Sequence, residues 1–294
     1  MNPSDSAPLL SRIVTVYRQW DSVARWIDDP ALADPRVEWV FVNDSPSPDD
    51  LVPAPLRETA VGRRARFVED GVNRGRSAAR NRGASLATAP WLAHVDGDDR
   101  PLAVELPLAV FHGESDGGPM PDLVFLPFAS DAGTFWTEER IDTAVFGELF
   151  RALGVPKAVD WRPAALLWRR EFFGRIGGYD GRFEGAEDAH VVWKALRAGA
   201  QAARGAAPQV FVEPGGARTE QIYLTAGRLR FWEEVGKAGG DVGAIGRRVR
   251  AVQLHVVFWT VRDVLVRTEG RKAGLREGGK LIWNFLFARK GRGR

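Results

Sequence analysis

Five short apolar runs rich in β-branched residues punctuate the first half of the chain, at residues 12–17, 37–43, 66–69, 91–95 and 122–128. Each has the length of a buried strand, and polar, turn-forming residues follow it. Between the runs, helical patterning covers 21–27 and 77–86, with Ser77 placed to cap the second helix. Strand alternating with helix predicts an α/β fold with a mostly parallel central sheet flanked by helices.

In an open sheet of this kind ligands bind outside the carboxyl ends of the strands, where polar loops and helix N-termini converge. The residues to weigh are those just past each strand, at 17–20, 43–45, 73–76 and 96–100. Beyond residue 113 the pattern loosens into a Gly-, Pro- and Asp-containing loop to 122. Short strand-like runs at 134–137 and 164–169 flank a helix at 143–153, and a stronger helix at 188–198 stops at Gly199.

From about 219 the chain reads as helical, with breaks at Gly239-Gly240 and around 270–279. Its most apolar stretch, 251–266, holds Gln253, His255, Arg262 and Asp263 and is too short and too polar to span a bilayer. A homodimer contact is one use for it. The segment 281–294 places Ile282, Trp283, Phe285, Leu286 and Phe287 directly before Arg289, Lys290, Arg292 and Arg294, a pattern suited to peripheral membrane contact. The expected division is a catalytic domain at 1–216 and a basic helical extension at 217–294. The domain itself divides into a nucleotide-binding half at 1–100 and an acceptor half at 101–216.

Composition narrows the chemistry. The 294 residues include no cysteine, which removes disulfides, zinc thiolates and thiol nucleophiles together. The net charge of +3 conceals an asymmetry: residues 247–294 carry 13 Lys/Arg against 3 Asp/Glu, so everything before them is net acidic. An anionic surface or an acidic partner suits that tail. Nucleic acid does not, because the tail's aromatics form one apolar face rather than a stacking platform interleaved with basic residues. The first dozen residues lack a basic start followed by an apolar run, so a cytoplasmic site of action is expected, with the tail at the inner face of the plasma membrane.

The densest chemistry is His94-Val95-Asp96-Gly97-Asp98-Asp99, three carboxylates in four residues at the end of a buried strand. A hard cation such as Mn2+ or Mg2+ would offset that crowding and bridge to a diphosphate. On its own the cluster is equally a solvated acidic turn. Upstream, Asn73, Arg74, Gly75, Arg76, Arg80 and Asn81 surround a helix start able to hold phosphates through backbone N–H groups and guanidinium forks.

Together these residues form one pattern. The run Asn-x-Gly-x-Ser-x-Ala-Arg-Asn-x-Gly from Asn73 to Gly83, a strand, and then Asp-x-Asp-Asp resembles the inverting family 2 glycosyltransferases of the GT-A fold. The resemblance extends back through Asn43-Asp44-Ser45 to the first strand, and forward through Gly177-Gly178-Tyr179-Asp180 to Glu187-Asp188, about 200 residues in all. It implies that Asp44 accepts the base N3–H of a uridine-type nucleotide and that Tyr17 lies beside the base. Asn73 and Arg80 would line the nucleotide site, Asp96 would lie near the ribose, and Asp98 with Asp99 would hold Mn2+ or Mg2+. Glu187 and Asp188 would be the catalytic pair, with Asp188 as general base. Asp188 also starts a helix, where the dipole keeps a carboxylate ionised and so weakens it as a base.

The implied function is transfer of one sugar from a nucleotide-diphosphate donor, UDP-linked, to a glycan or lipid-linked acceptor in cell-surface polysaccharide synthesis. The chain departs from the family at Thr15, Arg18 and Asn43-Asp44-Ser45-Pro46, and it lacks both a histidine between His190 and His255 and the Gln-x-x-Arg-Trp motif of processive synthases. Two alternatives remain in view. One is a sugar nucleotidyltransferase, disfavoured by the glycine-free Tyr17-Arg18-Gln19-Trp20 loop, and the other is a catalytically silent partner subunit. Of the 11 tryptophans, Trp136 and Trp161 are the candidates for stacking on an acceptor sugar, whereas Trp39, Trp91 and Trp193 fit core packing.

Overall fold

The computed structural model describes residues 7–103, 120–130, 133–135, 163–205, 208–212, 230–231, 234–235 and 237–238. The chain divides into two compact units. The first, Met1–Arg182 with Glu187–Ala217, contains both sheets and all the elements labelled below. The second consists of Phe183–Ala186 with Arg218–Arg294. Its described part includes a helical turn in which Ala238 N–H donates to the Glu234 carbonyl at 3.1 Å.

In chain order the first unit runs β1 (Leu10–Val16), α1 (Trp20–Ala24), β2 (Val37–Asn43), α2 (Ala54–Arg57), β3 (Ala65–Glu69), α3 (Arg76–Leu86), β4 (Trp91–Asp96) and β5 (Arg100–Pro101). It continues with β6 (Leu123–Phe125), β7 (Phe128–Ser130), β8 (Gly133–Phe135), β9 (Leu166–Arg169), α4 (Arg170–Arg175), α5 (Glu187–Arg197), β10 (Ala202–Arg204) and β11 (Val210–Phe211). Seven strands form the main sheet in the order β10-β6-β9-β4-β1-β2-β3, and β5-β11-β7-β8 form a smaller one. All the described pairings of the main sheet are parallel except those of β9, which runs antiparallel to both β4 and β6.

Every residue of β1 is buried, as a parallel strand covered on both faces requires. On β2 the alternation Trp39, Phe41 against Val40, Val42 sorts the faces. Trp39 and Phe41 stack with ring centres 6.0 Å apart, and Phe41 lies 5.0 Å from Phe67 of β3, building an aromatic row in one core. The other face receives α3. There Gly83 sits so close that a Cβ would come within 2.2 Å of Ile13 Cγ2, and only glycine admits that approach.

The structure corrects several boundaries. Residues 122–128 are not one strand: the run stops at Phe125 and resumes as β7 in the other sheet, because Pro127 has no N–H to offer a ladder. Ser77 does not cap α3. Gly75 does, at φ +82°, following a turn in which its N–H donates to Asn73 Oδ1 at 3.0 Å, and Ser77 lies buried inside the helix. The first helix is shorter than its apolar spacing predicts, ending at Ala24. Helix α5 begins at Glu187, one residue early, and is followed by Gly199 at φ +81°. The expected helix at 143–153 and all of 251–294 lie outside the described residues, as do Trp136 and Trp161. Trp39, Trp91 and Trp193 are core residues.

Candidate active site

The chain passes from β1 outward through β2 to β3, then returns to place β4 on the other side of β1. A reversal of this kind opens a crevice at the carboxyl ends of the two central strands. Register fixes what stands there. Thr15 of β1 is level with Asp96 of β4, and Val16 is level with Asn43 of β2.

Tyr17 follows β1 and is exposed, with the Arg18 guanidinium 5.3 Å from its ring centre. Past β2, Asp44 is buried; its N–H donates to the Val16 carbonyl at 2.8 Å, and its Oδ1 accepts the Arg74 N–H at 2.7 Å. That bond ties the loop before α3 to the end of β2. Past β4, the Gly97 N–H donates to the Thr15 carbonyl at 2.9 Å and the Asp99 N–H to the Asp96 carbonyl at 3.0 Å. Asp98 and Asp99 are thereby carried on a tight turn, both half-buried.

Arg80, one turn into α3, joins the two ends of the site. Its Nη2 lies 2.7 Å from Asp96 Oδ1 and its Nη1 lies 3.2 Å from Glu187 Oε1. Its side chain is 2% exposed and that of Glu187 1%, whereas Asp96 keeps 37%. Arg76 adds a second contact to Glu187 at 3.4 Å. Burial opposes the Arg80 charge, but Asp96 and Glu187 outweigh it and raise the guanidinium's pKa further. Burial also works against the Asp96 carboxylate, and Arg80 reverses that, holding it below the usual range. The family resemblance directs Arg80 to the nucleotide. In the structure its Nη2 and Nη1 are bonded to Asp96 and Glu187.

Asp188, half-buried beside Glu187 on the first turn of α5, is pushed up to about 7 by burial first and by Glu187 next. The helix dipole does not keep it ionised in the way its position predicts, because desolvation and a like charge outweigh a term worth about 1 kcal/mol.

Two features were not visible in the sequence. Asn81 clasps the Tyr179 backbone, its Nδ2 donating to the carbonyl at 2.8 Å and its Oδ1 accepting the N–H at 2.9 Å. Gly178, at φ +57°, makes room for it, since a Cβ there would come within 2.3 Å of Asn81 Oδ1. Tyr179 in turn faces the Arg80 guanidinium at 5.2 Å and meets the His94 ring edge-on at 5.1 Å. Burial, and then the charge on Arg80, push His94 down to about 3, so it stays neutral at physiological pH. The sequence signal for this clasp was present in the Arg-Asn pair at 80–81 and the Gly-Gly-Tyr at 177–179, but nothing local joins them.

Residues 11–116 match the model of glycosyl transferase family 2. The match is confined to that segment, about a third of the chain. The match covers β1 to β5 and thus the crevice, including Asp44, Arg80 and the acidic turn. The matching segment sits in a GT-A type α/β fold that solved structures share. Residues 1–349 of TarS from S. aureus superpose with a TM-score of 0.55 at 16% identity, covering 91% of this chain and 74% of that one. The same protein in complex with UDP-GlcNAc gives 0.56 at 14%, covering 96% and 82%. The mannosyltransferase PcManGT from Pyrobaculum calidifontis, in complex with GDP-Man and Mn2+, gives 0.53 at 15%, covering 95% and 81%. Among curated proteins none matches the chain.

Proposed function

We propose that this glycosyltransferase is inverting and moves a single sugar from a nucleotide-diphosphate donor, UDP-linked, to a hydroxyl of a glycan or glycolipid acceptor in cell-surface polysaccharide synthesis. The observation that carries the reading is Arg80, whose ion pairs with Asp96 and Glu187 set Asp188, a half-buried carboxyl lifted to about 7, at the same sheet edge as the strand-end acids. A base of that pKa is half deprotonated at neutral pH and strong enough to take a proton from a hydroxyl in the transition state.

Tyr17, Asp44 and Asn73 form the nucleotide side, with Asp44 accepting the base N–H and Asp96, oriented by Arg80, near the ribose. Asp98 and Asp99 offer only carboxylate oxygens, and among the described residues no cluster of three or more His, Asp or Glu side chains stands ready for an ion. That hard-oxygen set fits Mn2+ or Mg2+ with diphosphate oxygens and water completing the shell. When bound, the ion offsets charge on the departing diphosphate. The acceptor oxygen attacks the anomeric carbon as the carbon–phosphate oxygen bond breaks. The acceptor proton goes to Asp188 and the bonding pair leaves with the diphosphate, which inverts the anomeric configuration. Glu187, held by Arg80 and Arg76, fixes the first turn of α5 and raises its neighbour's basicity.

The catalytic part is residues 1–216, working in the cytoplasm, with 281–294 as a peripheral contact at the inner membrane face and 251–266 as a homodimer contact. No described helix is long and apolar enough to cross a membrane. The structures of TarS with UDP-GlcNAc and of PcManGT with GDP-Man and Mn2+ support the donor class. Incubating the full chain with a panel of nucleotide sugars and Mn2+, with product stereochemistry read by NMR, tests the reading. The expected result is release of UDP with an inverted product, lost in Asp188→Asn and Asp98→Ala. No turnover of any donor, or turnover indifferent to both substitutions, would overturn it.

A further inference from the structure

Away from the crevice, the core contains a charge that forms no ion pair with any carboxylate among the described residues. Arg12, in the middle of β1, is 1% exposed, and its guanidinium lies 5.2 Å from the centre of the Trp39 ring. Its Nη2 donates to the Leu102 carbonyl at 2.6 Å and to Gln209 Oε1 at 3.2 Å, which ties the main sheet to the chain flanking β5 and β11. Among the described residues its Nε and Nη1 have no acceptor. Asp34 contributes a favourable field, but its carboxylate is taken up by Arg36 at 2.6 Å, and no carboxylate among the described residues forms an ion pair with Arg12.

The neighbours aggravate the shortage. Gln209, 2% exposed and bonded to Arg12 through its oxygen, leaves its Nε2 group without an acceptor, and the indole Nε1 of Trp39 likewise has none. All four orphaned atoms are donors, on Arg12 and on two residues that each contact it. An unpaired buried guanidinium is strongly disfavoured, and burial pulls Arg12 down to about 9. A water molecule could accept from these donors, but it would leave the charge uncompensated.

We infer that the orphaned donors of Arg12, Gln209 and Trp39 form an internal binding site for a small monovalent anion, chloride in the cell, at the junction of the two sheets. Enclosure by side chains at most 2% exposed favours a single-atom ion over phosphate or sulfate, whose four oxygens each seek partners. The site's consequence is structural. By fixing Arg12, the anion fixes the Leu102 carbonyl, three residues past Asp99, and so steadies the far side of the acidic turn.

The test uses the full chain in two arms. Crystals soaked in bromide are expected to show an anomalous peak beside Arg12, and a peak-free site overturns the inference. In solution, at fixed ionic strength, exchanging gluconate for chloride at about ten times its dissociation constant is expected to raise Tm by about 3 °C. Gln209→Leu, which leaves the guanidinium in place, weakens that response, and Arg12→Met abolishes it. A Tm indifferent to chloride in the wild type, or a response equal in all three proteins, marks an internal water or general salt stabilisation and overturns the site. The outcome is independent of which sugar is transferred, or whether one is.

Discussion

At the scale of single residues, the site depends on one buried arginine placed between acids from distant parts of the chain. Arg80→Met would leave Asp96 and Glu187 without their shared partner. Breaking a buried ion pair on one side is expected to lower unfolding free energy by about 3–5 kcal/mol, measurable in urea. Arg80→Lys keeps the charge but cannot reach both carboxylates with a planar fork, so it should recover only part of the loss. Asp188 gives a prediction in pH. Its carboxyl is lifted to about 7 and the proposed reaction needs it deprotonated, so kcat/KM should rise with pH and level off above about 7. Below that pH the rate should fall tenfold per unit. A profile flat down to pH 5 would exclude Asp188 as the base. These residues were legible as a list and not as a network. The spacing from Asn73 to Asp99 named Arg80, Asp96 and Asp98, but Arg80 and Glu187 are 107 positions apart, and no periodicity reports a contact at that range.

At the scale of elements, legibility followed burial. Strands β1, β2 and β4 are covered on both faces, so they read as largely apolar runs, and the bounds of these three and of the partly covered edge strand β3 came out within two residues. Of the smaller sheet the sequence signalled β8, through the run at 134–137, but not β5 and β11, because strands of two residues are too short to display an alternation. The antiparallel setting of β9 was equally hidden, since direction within a sheet is decided by connections and not by composition. The helix most tightly specified is α3, through Gly83. Gly83→Ala gains helix propensity of about 1 kcal/mol, but its methyl would collide with Ile13 on β1. A net destabilisation of about 1–3 kcal/mol is expected from overpacking, read by thermal or urea melting. A stabilised variant would mean that α3 can shift outward without consequence.

At the scale of the whole molecule, charge separates the chain into an acidic body and a basic tail, with 13 Lys/Arg in 247–294. If 281–294 is a peripheral contact, deleting it should abolish co-sedimentation with vesicles containing anionic lipid while leaving donor hydrolysis intact. Sedimentation unchanged by the deletion would remove the membrane role from that segment and leave 251–266, as a contact between copies, the stronger use of the extension.

The bond from Arg80 to Glu187 also sets an order of events during synthesis. The strands that build the crevice, β1 to β4, lie within residues 10–96 and form a contiguous parallel unit. The residue that completes the ion pair emerges from the ribosome 107 positions after Arg80, about 5–20 s later at ordinary elongation rates. For that interval the nascent chain holds the strand-end acids and the loop before α3 without the Glu187-Asp188 pair. Under the proposed function, an unfinished chain would thus have part of a nucleotide site and no base, and would be unable to transfer a sugar before α5 docks.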